Sequence, residues 1–553
     1  MNRALPFLKK YRYSCTALAA TLVVLGPMLL PGYILSLDLV FTPSFHFSYT
    51  PGDFINSLPL WYLLQGLYAV FPGWVVEKLL LVSLVFTLCY CSLRFLPVPK
   101  RFSVQLFASL LYTANLFVYG RMLGGQWAVL FAYALLPLVL CLALSWTASP
   151  TYKKSVGLAG ALALVCIFSL QVFIMGVLMA AGWALCTVGY RKPSVTTRTK
   201  LYASAGVFLG ALIVCTSYWT IPAMHRSAPI ESAFTAEHWT AFAASGNGHV
   251  AVLLNIAALG GFWDEGDSWA NYFAWPQQHA LFWISCAGLA ALVCMGIYSM
   301  WRQGSCRLSI FLILLGALAY ILSTGAAATP LQAFNIFLYS HAPFWSGFRD
   351  SQKFVALLAL VYATVAGWGF EAVVSVVRAE KPRMAPYIAA LLFCIPIFFG
   401  MFVWFGFARE LPAVQYPPSW SRAKAELQAH PEAKALILPW QGYFSLGFDR
   451  NLIVANPAEQ FFGPQAVLSQ NVRLGQVYDQ SSDPAYLALD HAVRHNNPAS
   501  GQTMAEFLQG QGVRYVIYFQ DIRATDTFTY QFLASQGFTL EWSTPELQFY
   551  MVK

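Results

Sequence analysis

Charge is scarce in this sequence. Only 10% of its 553 residues are Asp, Glu, Lys or Arg, and 58% are hydrophobic; a soluble domain carries about 25% charged residues. That shortage excludes an ordinary soluble protein and marks a membrane chain by composition. Cysteine is absent beyond Cys394, and all 11 cysteines fall in or beside apolar runs. A disulfide framework is thereby excluded from the polar segments, where oxidation would be possible. There is no CxxC and no His/Cys cluster at zinc spacing; the "CYC" of residues 89–91 reads as small apolar filler. GxGxxG, Walker and HExxH motifs are missing, as is a catalytic Ser/His/Asp arrangement. Short internal repeats and low-complexity tracts are missing too. The lack of any Asn-x-Ser/Thr triplet agrees with a bacterial or archaeal origin.

What is present is a series of apolar runs near the ~20 residues that cross a bilayer. They predict 11 spans, at 13–35, 77–96, 103–119, 127–146, 156–173, 175–189, 203–222, 280–300, 308–325, 353–376 and 386–406. The stretch 156–189 is divided at Gln171 into a tight hairpin. Residues 57–72, short and bounded by proline, read as an interfacial or re-entrant helix. The N-terminal run is too long for a signal peptide and has no small-residue cleavage site, so it reads as a retained span.

The net charge of +9 would suit an acidic partner, but the placement of the charges says otherwise. With the N-terminus cytoplasmic, the inner segments hold 18 Lys and Arg, from Arg3 to Arg383. The outer loops and span edges before residue 408 hold only Lys78, Arg121, Arg226, Arg349 and Lys353. The basic excess is therefore a topology signal, and nucleic acid is rejected as a partner. The acids lie mostly on the outer side. The expected architecture is a polytopic α-helical membrane domain, 1–407, with outer loops 36–76 and 223–279, followed by an extracytoplasmic α/β domain, 408–553. In that last part "KALILPW" and "VRYVIYF" read as buried strands, "TMAEFLQGQG" as a helix ending at glycine, and "GFTLEWSTPELQFYMVK" as a closing hairpin.

Four outer places carry candidate chemistry. Asp38 lies just past the first span in a loop without a cation; it reads as a general base or metal ligand, or as a plain loop aspartate or helix cap. In the same loop Asp53 reads as a helix cap and His46 as a candidate substrate contact. Second, Arg121 and Gln126 lie in "NLFVYGRMLGGQ", where Gly120, Gly124 and Gly125 allow close backbone approach; Arg121 reads as a phosphate ligand, or as a residue that snorkels to the interface or pairs with a nearby acid. Third, in "GFRDSQKF" Asp350 reads as a cap of the next helix, and Arg349 and Lys353, four apart, as a phosphate site or interfacial anchors. Fourth, "GGFWDEGDSWANYFAW" sets Asp264, Glu265 and Asp267 among Trp263 and other aromatics, a pattern suited to sugar or to the membrane interface. The carboxylate spacing lacks the calcium-loop pattern.

This order of features resembles the GT-C class of membrane glycosyltransferases. Within it, "NLFVYGRMLGGQ…LFAYALLPL", "GFRDSQKFVALLAL…YATVAGWG" and "FLQGQGVRYVIYF" resemble the YfhO-like and the mycobacterial arabinofuranosyltransferase-like membrane proteins. The resemblance implies a sugar donor linked to polyprenyl phosphate at the outer leaflet of the cell membrane. It implies transfer to an extracytoplasmic glycan or lipid acceptor, usually with inversion, and an acid in the first outer loop as base. Asp38 is the matching position. Arg121, Arg349 and Lys353 are then the candidates for holding the donor phosphate. Many members have two adjacent acids in this loop, whereas Leu39 follows Asp38 here, which speaks against a metal-dependent reaction; a divalent cation is the one cofactor left open. A WWD-type oligosaccharyltransferase motif is absent. Two other readings stand beside this one: a lipid or glycan transporter or flippase, which would call for mid-membrane charges and a repeated half, and a non-catalytic cell-envelope assembly protein.

Overall fold

A computed structural model describes residues 4–47, 55–190, 195–225, 236–246, 250–263, 265, 273–342, 345–474, 477–479, 481, 483–498, 501–524, 530–534 and 537–553. Among them nine helices are long and apolar enough to cross a membrane. A shorter apolar helix, Ala385–Phe399, and the 17-residue helix Tyr152–Phe168 stand at the other expected span positions. The protein is thus a multi-pass membrane protein. The helix Val355–Glu380 is its axis and packs against Phe102–Thr113, Ala280–Arg302, Cys306–Ser323 and Ala385–Phe399. A second group forms around Trp127–Ala148, which meets Gly73–Phe95, Tyr152–Phe168 and Leu170–Tyr190. The outermost helix, Val195–Met224, leans on Tyr152–Phe168 and leaves Ile213 and Val214 exposed, as lipid-facing positions require.

Three departures from the expected spans matter for the site. The first helix, Ala4–Leu25, ends ten residues before the expected boundary. Pro27, Pro31 and two glycines at positive φ, Gly26 and Gly32, cannot continue an α-helix, and the chain leaves as a 3₁₀ turn and the strand Tyr33–Ile34. The expected span 103–119 is broken at Asn115, whose side chain accepts the Val118 amide and caps a new helix, Leu116–Leu123. The hairpin of 156–189 turns at Ser169, two residues before the expected Gln171.

Beyond the last apolar helix, the strand Ala413–Val414 pairs antiparallel with Tyr33–Ile34. An α/β domain follows. Its five-stranded sheet runs in the order Phe538–Ser543, Leu547–Val552, Val513–Phe519, Lys434–Leu438, Ala466–Val467, the last two pairings being parallel. Both strands and the closing hairpin read from sequence are present. The helix Met504–Gly510 starts at a Thr503–Glu506 capping box. A separate sheet of Ile522–Ala524, Tyr443–Leu446 and Ile453–Ala455 faces the membrane domain. Leu37 of the first loop joins its edge: the Leu37 amide donates to Ile453 O at 3.0 Å, and the Ala455 amide donates to Leu37 O at 2.8 Å. The first loop and the C-terminal domain are thus stitched together by backbone pairing.

Candidate functional site

Asp38 sits at the tip of a tight turn. Ser36 and Leu39 exchange backbone hydrogen bonds of 3.1 and 2.7 Å, which leaves Leu37 and Asp38 between them. Leu37 has φ 36°, a conformation that costs a leucine about 1–3 kcal/mol. It is held there by burial of its side chain against Phe262, Trp263 and Ile453 and by the two bonds to the C-terminal sheet. The turn rests on the glycine pair of the second motif. The Asp38 amide donates to Gly124 O at 3.5 Å, and the Ser36 hydroxyl donates to Leu123 O. Gly125, at φ 69°, lies so close that a Cβ there would stand 2.1 Å from the Leu39 nitrogen and 2.3 Å from Ser36 O. Alanine at position 125 is therefore expected to displace the turn and lower the thermal unfolding temperature of the detergent-solubilised protein. The backbone strain alone is about 1–3 kcal/mol.

The Asp38 carboxylate accepts a hydrogen bond of 2.9 Å from the Tyr443 hydroxyl of the C-terminal domain. Asp38 is exposed to a cavity of 540 Å³, with protein on its other sides. Burial pushes its carboxyl up; the Tyr443 hydrogen bond and the Lys353 charge pull the other way, and the Asp350 charge adds to the rise. Lys353 and Gln126 line the same cavity, and its apolar walls come from Leu60, Trp61, Trp127, Phe168 and Leu170. Asn56, Ser169 and Gln171 add polar atoms at its edge. The short helix Leu58–Tyr68 forms one side and presents Tyr62 and Leu63 outward, as an interfacial helix does.

Behind the cavity lies a buried charge network. Arg121 is fully buried, on the helix that Asn115 caps, and it pairs with an acid, one of the alternatives the sequence offered. Its guanidinium binds both carboxylate oxygens of Asp350, with the Nη2–Oδ1 bond at 2.9 Å, and donates to Gln126 and Gln352. The rings of Phe117 and Phe262 flank it at 5.4 and 4.6 Å. Asp350 makes no helix cap; its carboxylate serves Arg121, and Lys353 Nζ stands 3.6 Å from it. Burial would raise the Asp350 carboxyl, but Arg121 and Lys353 together hold it below the usual range. Arg121 and Lys353 thus share the Asp350 carboxylate, and Lys353 also lines the Asp38 cavity.

The structure brings Asp38, Gln126 and Lys353 together and sets the other candidates apart. Arg349 lies with its guanidinium 4.6 Å from the Phe242 ring and does not line the cavity. Trp263 is buried edge-on against Phe242, where it supports the Leu37 turn. Glu265 is sealed by Asn255 Nδ2 at 2.7 Å and by the Gly261 and Phe262 amides at 3.0 Å; burial, opposed by these bonds and by the Arg121 charge, pushes its carboxyl up to about 7. His46 borders a different cavity. Asp53, Asp264 and Asp267 lie outside the described residues. Sequence reasoning missed Tyr443, for which no local signal exists, and Gln352, whose neighbours in "RDSQKF" did stand out.

No protein-family model matches the chain, and no curated protein matches it. Solved structures do. A mycobacterial arabinofuranosyltransferase, AftD, superposes with TM-score 0.65 at 14% identity over 98% of this chain and 40% of its own. A mutant of AftD gives 0.63 at 14% identity, over 98% and 41%. An archaeal oligosaccharyltransferase from Archaeoglobus fulgidus, AglB, gives 0.46 at 12% identity, over 93% and 70%. This chain therefore spans about 40% of the length of the arabinofuranosyltransferase. The chain shares the fold of the part of AftD that it covers.

Proposed function

We propose that the protein is a glycosyltransferase that moves a sugar from a polyprenyl-phosphate donor to a glycan or lipid acceptor at the outer face of the cell membrane. The observation that carries this reading is the meeting of Asp38 and Lys353 in one apolar-walled cavity. In this reading the polyprenyl chain lies along Leu60, Trp61, Phe168 and Leu170, and the donor phosphate lies at Lys353. The acceptor hydroxyl oxygen attacks the anomeric carbon, the bond from that carbon to the phosphate oxygen breaks, and the hydroxyl proton passes to Asp38. Lys353 balances the charge that develops on the leaving phosphate. Arg121 acts through Asp350 and Gln126 as a positioning residue. A divalent cation would find one carboxylate, Asp38, at the cavity among the described residues, and would draw its remaining ligands from the donor phosphate. In this reading the N-terminus lies in the cytoplasm and the C-terminal domain outside, which the lysine and arginine bias of the loops supports.

The test is transfer of radiolabelled sugar from a panel of polyprenyl-phosphate sugars by the purified protein in lipid, with Lys353→Gln alongside. We expect transfer from one donor and weaker donor binding in the variant, by about tenfold or more. Equal donor binding by Lys353→Gln would sink the phosphate assignment. The pH profile gives an independent check. The Tyr443 hydroxyl stabilises the Asp38 carboxylate, so Tyr443→Phe raises the Asp38 pKa further. A base must be deprotonated, and the acid limb of the rate profile is expected to move to higher pH in Tyr443→Phe.

A further inference from the structure

A larger cavity, of 750 Å³, lies beside the first. It runs along Ala466–Val467, the outermost strand of the five-stranded sheet. Its other wall is Phe45, His46 and Phe47 of the first loop, with Gln65 of the interfacial helix below. The two cavities share an aromatic partition: Phe45 and Phe47 stack on Trp61 at 6.1 and 6.2 Å, and Trp61 lines the Asp38 cavity. The wall is built rather than incidental. The His46 ring rests on Gly463, where a Cβ would come 2.9 Å from Nε2, and the His46 amide donates to Gln460 Oε1 at 3.0 Å. Burial and the Lys424 charge lower the His46 pKa, which favours the neutral ring, a donor and an acceptor at once.

The lining of this cleft selects a ligand class. Glu459 and Asp483 are acceptors; Gln65 and Gln470 carry both a donor and an acceptor. The lining holds two carboxylates and one lysine, Lys434, so it offers no excess of positive charge to an anion. Mixed donors and acceptors beside aromatic faces match a row of sugar hydroxyls and C–H faces. The volume lies inside the range of about 300–1,000 Å³ of ligand sites. We propose that this cleft binds an uncharged oligosaccharide, whose reacting end reaches past the Phe45–Trp61 partition to Asp38. Its role as the acceptor subsite rests on the glycosyl-transfer reading above.

The experiment uses the full chain in lipid nanodiscs. Short neutral oligosaccharides of arabinofuranose, mannose and galactofuranose are titrated and followed by saturation-transfer NMR. The expected result is binding of one class, weakened about tenfold in each of Glu459→Ala and Gln470→Ala and retained in Asp38→Asn. Both residues are exposed, so these variants spare the fold. Absence of binding by every oligosaccharide, or binding indifferent to both cleft variants, overturns the proposal. Binding that follows the cleft variants while sugar transfer ignores Asp38→Asn upholds the cleft and overturns the base assignment alone.

Discussion

Asp38→Asn is expected to transfer sugar about 10²–10⁴-fold more slowly than the wild-type protein, the usual worth of a positioned general base. The substitution is close to isosteric. The asparagine oxygen still accepts from the Tyr443 hydroxyl, and the backbone bonds that close the turn at Ser36 and Leu39 are untouched. What is lost is the capacity to take a proton. Donor binding, which this reading assigns to Lys353 and the apolar walls, should stay within a few-fold, so the defect should appear in the rate at saturating donor. Single-turnover transfer with donor binding measured in parallel makes the separation. A wild-type rate in Asp38→Asn would move the base elsewhere. Glu265 is a poor substitute, because Asn255, Gln277 and two backbone amides already surround its carboxylate. The test would then pass to Asp264 and Asp267.

Arg121→Leu is expected to destabilise the protein by about 3–5 kcal/mol, since it strands the buried Asp350 carboxylate. Arg121 has no exposed surface and is held by Asp350, Gln126 and Gln352 together. The double variant Arg121→Leu with Asp350→Leu removes both charges and should regain much of that loss. It should nonetheless remain impaired in transfer, because Gln126 loses its partner and Lys353 loses the anion beside it. Thermal unfolding in detergent and transfer in lipid, measured on the same three proteins, give the two readouts. A single variant that unfolds at the wild-type temperature would show that the network does not hold the fold.

The membrane domain was legible because bilayer thickness imposes one period on every span. The C-terminal strands were legible because buried strands are apolar runs. The limits appear at particular residues. Nothing near Asn115 says that its side chain will cap a new helix, because the apolar residues on both sides of it read as one span. That Arg121 could pair with an acid was legible, but not which acid: the Asp350 carboxylate lies 229 residues away in the chain. The glycines at 124 and 125 did signal close approach, and the structure shows what approaches: the Asp38 turn itself. Tyr443 had no signal, since its partner is 405 residues distant in the chain.

That distance has a consequence for how the protein comes into being. A ribosome makes the Asp38 turn among its first products, yet the bonds from Ile453 and Ala455 that hold Leu37 at positive φ come from residues made near the end. Synthesis proceeds from the N-terminus at about 5–20 residues per second, so the turn waits tens of seconds for its partners. During that interval Leu37 is free to relax, and Asp38 has no fixed direction. The Asp38 turn is therefore completed last of all, when the C-terminal strands pair with the first loop.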